Sequence, residues 1–291
     1  MQNNNIKSKI DPIILHTIPF LPSRTRKENY QIKREWGDRT LTLRAKETLN
    51  TYDFITLLQL LKDYVQKQSE WEKVGETLEK GKFILRKKID ISALARERGV
   101  LNKTANKKTI LKSILRLAGI DVNMTNKKTG DENNTKYIYE TKYKGDNQIS
   151  EYDYYKNNGI SSTPQETADY KEIEVLANQL FFDFCINNGL VINLDNILKY
   201  SKENTVLLDV FIQSTNWDKY NEELLFERCG LNETAMSEKE KRRLLKKSFT
   251  EFNKFNENKF TLTETRWEKK GNDNTPKGND NTPTRPEHLG T

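Results

Sequence analysis

Apolar residues recur at helical spacing in several segments of this chain. Phe54, Leu57, Leu58, Leu61 and Val65 lay one stripe along residues 52–65, with Thr51 placed to cap the helix. Residues 93–98 predict a short helix capped by Ser92 and stopped by Gly99. A longer helix follows over 104–118, with Ile110, Leu111, Ile114, Leu115 and Ala118 on its apolar face and Gly119 at its end. The same succession returns later: a helix over 205–214, a short one over 221–229 ended by Gly230, and a long one from Ser237 to about 255. The last opens with Ser237-Glu238-Lys239-Glu240, the spacing of a capping box, and its stripe is Leu245, Phe249 and Phe252.

Between the helices the period changes to two. Thr40-Leu41-Thr42-Leu43-Arg44 alternates as a half-buried strand does, and Phe83-Ile84-Leu85 with Ile89 marks another strand. Residues 120–124 and 135–143 read as two strands joined by a basic loop, which is the form of a wing. Phe260 and Leu262 alternate with threonines in a closing strand over 259–267. Residues 173–198 fit two descriptions. They form a hairpin turning at Asn187-Asn188-Gly189, or the end of a helix begun near Lys171; the Asn-Gly pair favours the hairpin.

Two stretches, 91–145 and 221–270, therefore share one plan: short helix, turn, longer basic helix, strands. That is how a winged helix-turn-helix looks in sequence. The expected fold is α+β, with two tandem winged helix-turn-helix domains and disordered termini. The boundaries read from composition are a flexible basic arm over 1–34, a first domain over 35–148, a linker over 149–170, a second domain over 171–270 and a disordered tail over 271–291. In that tail Gly-Asn-Asp-Asn-Thr-Pro occurs twice.

Charge changes the picture through its distribution. The formal net charge is +7 and the pI about 9.1, but residues 1–150 and 238–270 are net positive while 151–237 are net negative. Each positive zone holds one copy of the plan, which points to a polyanion. Cys185 and Cys229 have no metal-ligand spacing, the opening residues carry no secretory signal pattern, and no apolar run spans a bilayer. A cytoplasmic protein with no membrane role is expected.

Catalytic arrangements are sparse. The two histidines, His16 and His288, fall in the arm and the tail, so folded segments offer no histidine metal site and no Ser-His-Asp triad. Phosphate-binding glycine motifs are absent, and no cofactor or enzyme activity is implied. Binding to double-stranded DNA fits better, because a recognition helix needs one apolar stripe and one outward polar face. On the first long helix that face is Lys107, Lys108, Lys112 and Arg116, joined by Lys127, Lys128 and Lys136 of the wing. On the second it is Lys239, Arg242, Arg243, Lys246 and Lys247. Lysines suit phosphates, whereas arginines suit bidentate contacts to guanine, so the second helix is the expected sequence reader. Against this stands the plainer reading of each helix as a surface helix with a basic solvated face. Tyr152, Tyr154 and Tyr155 are the one cluster that suggests a DNA-nicking enzyme, and aromatic packing explains them as well.

This layout resembles plasmid replication initiator proteins built from two tandem winged-helix domains. The resemblance is carried by the strand over 36–44, the helix over 51–65, the helix pair over 92–118 with its hairpin, the linker and the repeat over 207–267. It implies binding to direct repeats at an origin, opening of a nearby AT-rich segment, and recruitment of host replication proteins. It also implies an autorepressing homodimer in which one winged helix serves as the interface. A transcription regulator with the same two domains is the alternative.

Overall fold

The computed structural model describes residues 7–10, 14, 20–22, 28–76, 83–99, 104–142, 172–257, 260–263 and 266–269. The linker assigned to 149–170, the tail over 271–291, both histidines and the tyrosine cluster lie outside them.

Of the segment expected to be a flexible basic arm, 1–34, the described residues are packed into the molecule. β1 (Lys7–Ile10) pairs with a strand near residue 190, and Ile10, Ile14, Phe20 and Leu21 are buried. β2 (Glu28–Trp36) and β3 (Arg39–Glu47) form a hairpin whose Tyr30, Ile32, Leu41 and Leu43 point inward. Lys33, Glu35 and Arg44 occupy its outward face, while Arg34 stands between Ile32 and Trp36 on the inward one and masks the alternation of β2 in the sequence.

α1 (Thr51–Gln66) starts at Asn50, not Thr51. The Asn50 side chain accepts from the Tyr52 and Asp53 amides, and the Asp53 carboxylate accepts from the Asn50 amide at 2.8 Å, a full capping box. α1 is buried along most of its circumference and opens outward at its two ends, at Tyr52 in the first turn and Val65 in the last. A 3-10 turn (Gln68–Glu70) leads to β4 (Glu72–Glu76) and β5 (Phe83–Asp90). Asp90 caps α2 (Ile91–Glu97) by accepting from Ser92 and Ala93, one more cap shifted from its expected residue. Then come α3 (Thr104–Ala118), β6 (Ile120–Asn126), β7 (Glu132–Thr135), β8 (Ile138–Lys142) and β9 (Glu172–Asn178).

These strands divide between two antiparallel sheets, ordered β2-β3-β6-β7 and β4-β5-β9-β8. The expected wing of 120–124 and 135–143 is thereby split. β6 and β7 form a hairpin, but it extends the β2–β3 sheet, while β8 joins β9 beside β5. β9 opens the segment read as the second domain, yet it completes a sheet of the first half.

The expected hairpin near 180–194 is instead α4 (Gln179–Asn188) followed by β10 (Leu190–Asn193). Asn178 caps α4 through Leu180, and Gly189 has φ −75°, outside the left-handed region that an Asn-Gly hairpin turn demands. Gly189 meets a different need: a Cβ there would run into the Cys185 carbonyl of α4 and lie 2.9 Å from the backbone N and O of Ile10 on β1.

α5 (Leu194–Ile197), α6 (Glu203–Thr215), β11 (Lys219–Asn221) and α7 (Glu222–Arg228) follow. A 3-10 turn (Leu231–Glu233) precedes α8 (Glu238–Phe255), and β12 (Phe260–Thr263) and β13 (Arg266–Lys269) close the second half in a sheet ordered β11-β13-β12. The α+β architecture expected from the sequence holds. Its two copies share one topology: helix, strand, short helix, long helix and two strands, with the first strand paired to the last. In the first copy these are α1, β5, α2, α3, β8 and β9; in the second, α6, β11, α7, α8, β12 and β13.

One continuous apolar core runs through both copies. β2 joins them directly: Arg34 bonds Glu233 at 3.1 Å, and Trp36 stacks on Trp217 with ring centroids 5.9 Å apart. The N-terminal segment joins them again. Leu21 exchanges backbone bonds with Leu49 and Thr51 at the head of α1, and Pro22 lies against Gly230, where a Cβ would approach its Cδ to 2.7 Å.

Candidate nucleic-acid interface

α8 carries the most exposed basic face among the described helices. Ser237 and Glu240 form the expected capping box. Leu245, Ser248, Phe249 and Phe252 are buried, and Phe249 stacks on Trp267 at 3.8 Å between centroids with an interplanar angle of 9°. Asn253 donates to the Phe260 carbonyl at 2.8 Å and accepts from its amide at 2.9 Å, tying the closing hairpin to the helix. At the other side Glu251 accepts from Ser201 and Thr205, and Asn256 donates to Tyr200. The helix is thus fastened along its length while the opposite face stays open.

That open face bears Lys239, Arg242, Arg243, Lys246 and Lys247, all exposed. Leu245, Phe249 and Phe252 mark the buried side, so at 3.6 residues per turn Arg243, Lys247, Thr250 and Lys254 form the ridge opposite it. Arg242 lies on the flank toward α7 and gives its Nε to Glu222 at 2.8 Å. Sequence reading missed Glu222. Its contact with Arg242 depends on the fold and leaves no trace in local spacing.

The first copy is built differently. Ile110, Leu111, Ser113, Ile114, Leu115, Leu117 and Ala118 are all buried, because α1, α2, β8 and β3 pack around α3. Arg116, expected to face DNA, is 8% exposed and points inward. Its Nε and Nη2 reach both carboxylate oxygens of the fully buried Asp53 at 2.7–3.0 Å, and Glu47 lies 3.8 Å from Nη1. Its role is a buried bidentate pair. Lys107, Lys108 and Lys112 remain half-buried on the N-terminal part of the helix.

α2 is fastened to α1 by further polar contacts. Arg98 bonds Thr56 at 2.5 Å and Gln59 at 2.7 Å, and burial pulls its guanidinium down to about 10, partly offset by the nearby Asp53 and Glu97. Lys62 pairs with Glu97.

Lys127 and Lys128 are exposed in the β6–β7 loop, as expected of a basic hairpin tip, but acidic groups of the β2–β3 hairpin face them. Lys127 pairs with Glu35 at 2.6 Å and Lys128 with Asp38 at 2.7 Å. The Lys127 hydrogen bond and charge hold the Glu35 carboxyl below its usual range. Lys136 lies 3.4 Å from Asp121. Exposed pairs of this kind are screened by salt and hold the lysines only loosely. The structure therefore gathers Lys239, Arg242, Arg243, Lys246 and Lys247 on one helix. Lys127 and Lys128 sit apart on another sheet, and Arg116 is withdrawn into the core.

Among the described residues no group of His, Cys, Asp and Glu side chains could hold a metal ion, and no helix is long and apolar enough to cross a membrane.

No protein-family model matches the chain, and no curated protein matches it in sequence. Solved structures do. A selenomethionine derivative of domains 2 and 3 of RctB superposes with a TM-score of 0.56 at 12% identity, covering 89% of this chain and 98% of that one. RctB residues 155–483, again domains 2–3, superpose with a TM-score of 0.52 at 14% identity, covering 84% and 83%. At such identity the likeness is one of fold: this chain shares its α+β architecture with domains 2 and 3 of RctB.

Proposed function

We infer that this chain is a sequence-specific double-stranded DNA-binding protein that initiates plasmid replication by binding repeated sites at an origin. The observation that carries the reading is α8, a helix fastened on one side by Leu245, Phe249 and Phe252 and offering Lys239, Arg243, Lys246 and Lys247 on the other. An outward ridge of this kind fits a major groove, with arginine for base edges and lysines for phosphates. In this reading each copy of the shared topology is a winged helix. The likeness in fold to domains 2 and 3 of RctB accords with two such copies in tandem. The role is one of binding, without an enzymatic step. Its expected partners are duplex DNA, host replication proteins and a second copy of the chain, and its place is the cytoplasm.

Footprinting on the replicon that carries the gene tests this. Protected direct repeats are expected, with affinity falling steeply as salt rises because several phosphates are neutralised. A uniform, unprotected ladder would sink the reading. A replicon that persists after deletion of the gene would point to a transcription regulator instead.

A further inference from the structure

The two adjacent arginines of α8 are not equivalent, and the difference originates outside the helix. Glu222, the first residue of α7, is 4% exposed, and its Oε2 accepts the Nε proton of Arg242 at 2.8 Å. Among the described residues no other group takes up that guanidinium, whose side chain is 51% exposed. A carboxylate so deeply placed needs a charged partner, so Arg242 is drawn to the α7 flank and kept there. Its two terminal nitrogens then form a fork of fixed direction at the seam between α7 and α8. Arg243, one residue on, lies on the outward ridge with Lys247, away from Glu222.

We propose that Glu222 is a positioning residue that holds Arg242 as a preset fork for one DNA backbone phosphate, leaving Arg243 to read the base edge. The inference rests on α8 being the DNA-facing helix. When the ridge of Arg243 and Lys247 enters a major groove, the groove wall passes the flank where Arg242 waits. A guanidinium edge with two free nitrogens matches phosphate oxygens bidentately. An arginine already anchored through Nε has less rotamer freedom to lose when it makes that contact. Phosphate contacts fix register without carrying sequence information, so this pair sets affinity and alignment while Arg243 sets selectivity.

The test uses the full chain, a duplex selected by it from a random pool, and a scrambled duplex, titrated by fluorescence anisotropy across roughly 50–200 mM salt. Arg242→Ala is expected to weaken both duplexes by the same factor, about tenfold, and to lower the log–log salt slope by about 1. Glu222→Ala should weaken both by a smaller factor with the slope kept, because the charge remains but is no longer aimed. Glu222→Gln should recover most of that loss, since its amide oxygen still accepts the Nε proton. Arg242→Lys should resemble Glu222→Ala, giving a second measure if the alanine variant does not fold.

A merely structural role would lower the urea midpoint of Glu222→Ala and leave DNA binding by the folded protein at the parent value. That result overturns the proposal. So would Arg242→Ala changing the ratio between the two duplexes while leaving the salt slope unaltered. A parent protein that binds neither duplex would overturn the reading of α8 itself, an outcome distinct from one in which DNA binds and Arg242 is silent.

Discussion

Each copy of the repeated unit buries one aspartate on its first helix, and the two are treated in opposite ways. Asp53 on α1 is met by Arg116, which leaves the surface of α3 to reach it. Asp209 on α6 is equally buried but has no arginine. Tyr200 donates to its Oδ2 at 3.0 Å, and its Oδ1 has no hydrogen-bond partner. Burial pushes the Asp209 carboxyl up to about 7, against the lowering effect of Gln213 and Tyr200. The first copy thus spends an arginine inside its core, whereas the second keeps both arginines of α8 outside. The same topology supports a packed element in one place and an exposed ridge in the other.

The sharpest way to break that contrast is to remove the inward arginine. Arg116→Ala leaves Asp53 charged and enclosed, and a loss of about 3–5 kcal/mol is expected in urea unfolding. DNA affinity of the remaining folded protein should equal that of the parent. A selective loss of DNA binding at unchanged stability would restore Arg116 to the surface. On the other side, Arg243→Ala should reduce discrimination between cognate and scrambled duplexes by about 1–3 kcal/mol with little change in stability, read by competition binding.

A smaller effect concerns Asp209. Its folded pKa of about 7 exceeds the ordinary value of 3.8, so its contribution is full below pH about 4 and is lost as pH rises through about 7. Asp209→Asn should therefore unfold at higher urea than the parent at pH 8, and the two midpoints should converge near pH 4. Parallel midpoints across that range would mean that Asp209 ionises freely. The mildest change is Lys107→Ala with Lys108→Ala. These half-buried lysines are expected to shift affinity by less than about tenfold, or 1.4 kcal/mol, with specificity intact. A larger loss would show that the first copy also grips DNA strongly.

What could be read from the sequence follows the range of the interactions involved. α8 was legible to within a residue, since its capping box and its Leu245, Phe249 and Phe252 stripe lie within consecutive turns. α3 was found with its limits, 104–118, but its environment was not. Burial of Arg116 depends on Asp53 and Glu47, far earlier in the chain, and a basic residue in an amphipathic pattern reads as solvated. The Asn187-Asn188-Gly189 signal misled because Gly189 answers to the Cys185 carbonyl that ends α4 and to β1 passing beside it, the second a contact across most of the chain. The division of β6–β7 from β8–β9 was hidden for the same reason: strand partners are chosen by the sheet, and period two does not name them. The candidate site was legible in its residue types on α8. Glu222 was not.

The pairing of β1 with β10 has a consequence for how the molecule is made. Lys7–Ile10 leave the ribosome well before their partners Leu190–Asn193 and the Gly230 turn beneath Pro22, which follow about 180 or more residues later. Ile10, Ile14, Phe20 and Leu21 must therefore wait with their apolar surfaces uncovered while the first copy takes shape. Closing so long a loop is slow relative to the local helices, which makes this docking a late event in folding. These early residues are thus among the last to find their places, and until they do, the link they add between the two copies beside that of β2 is missing.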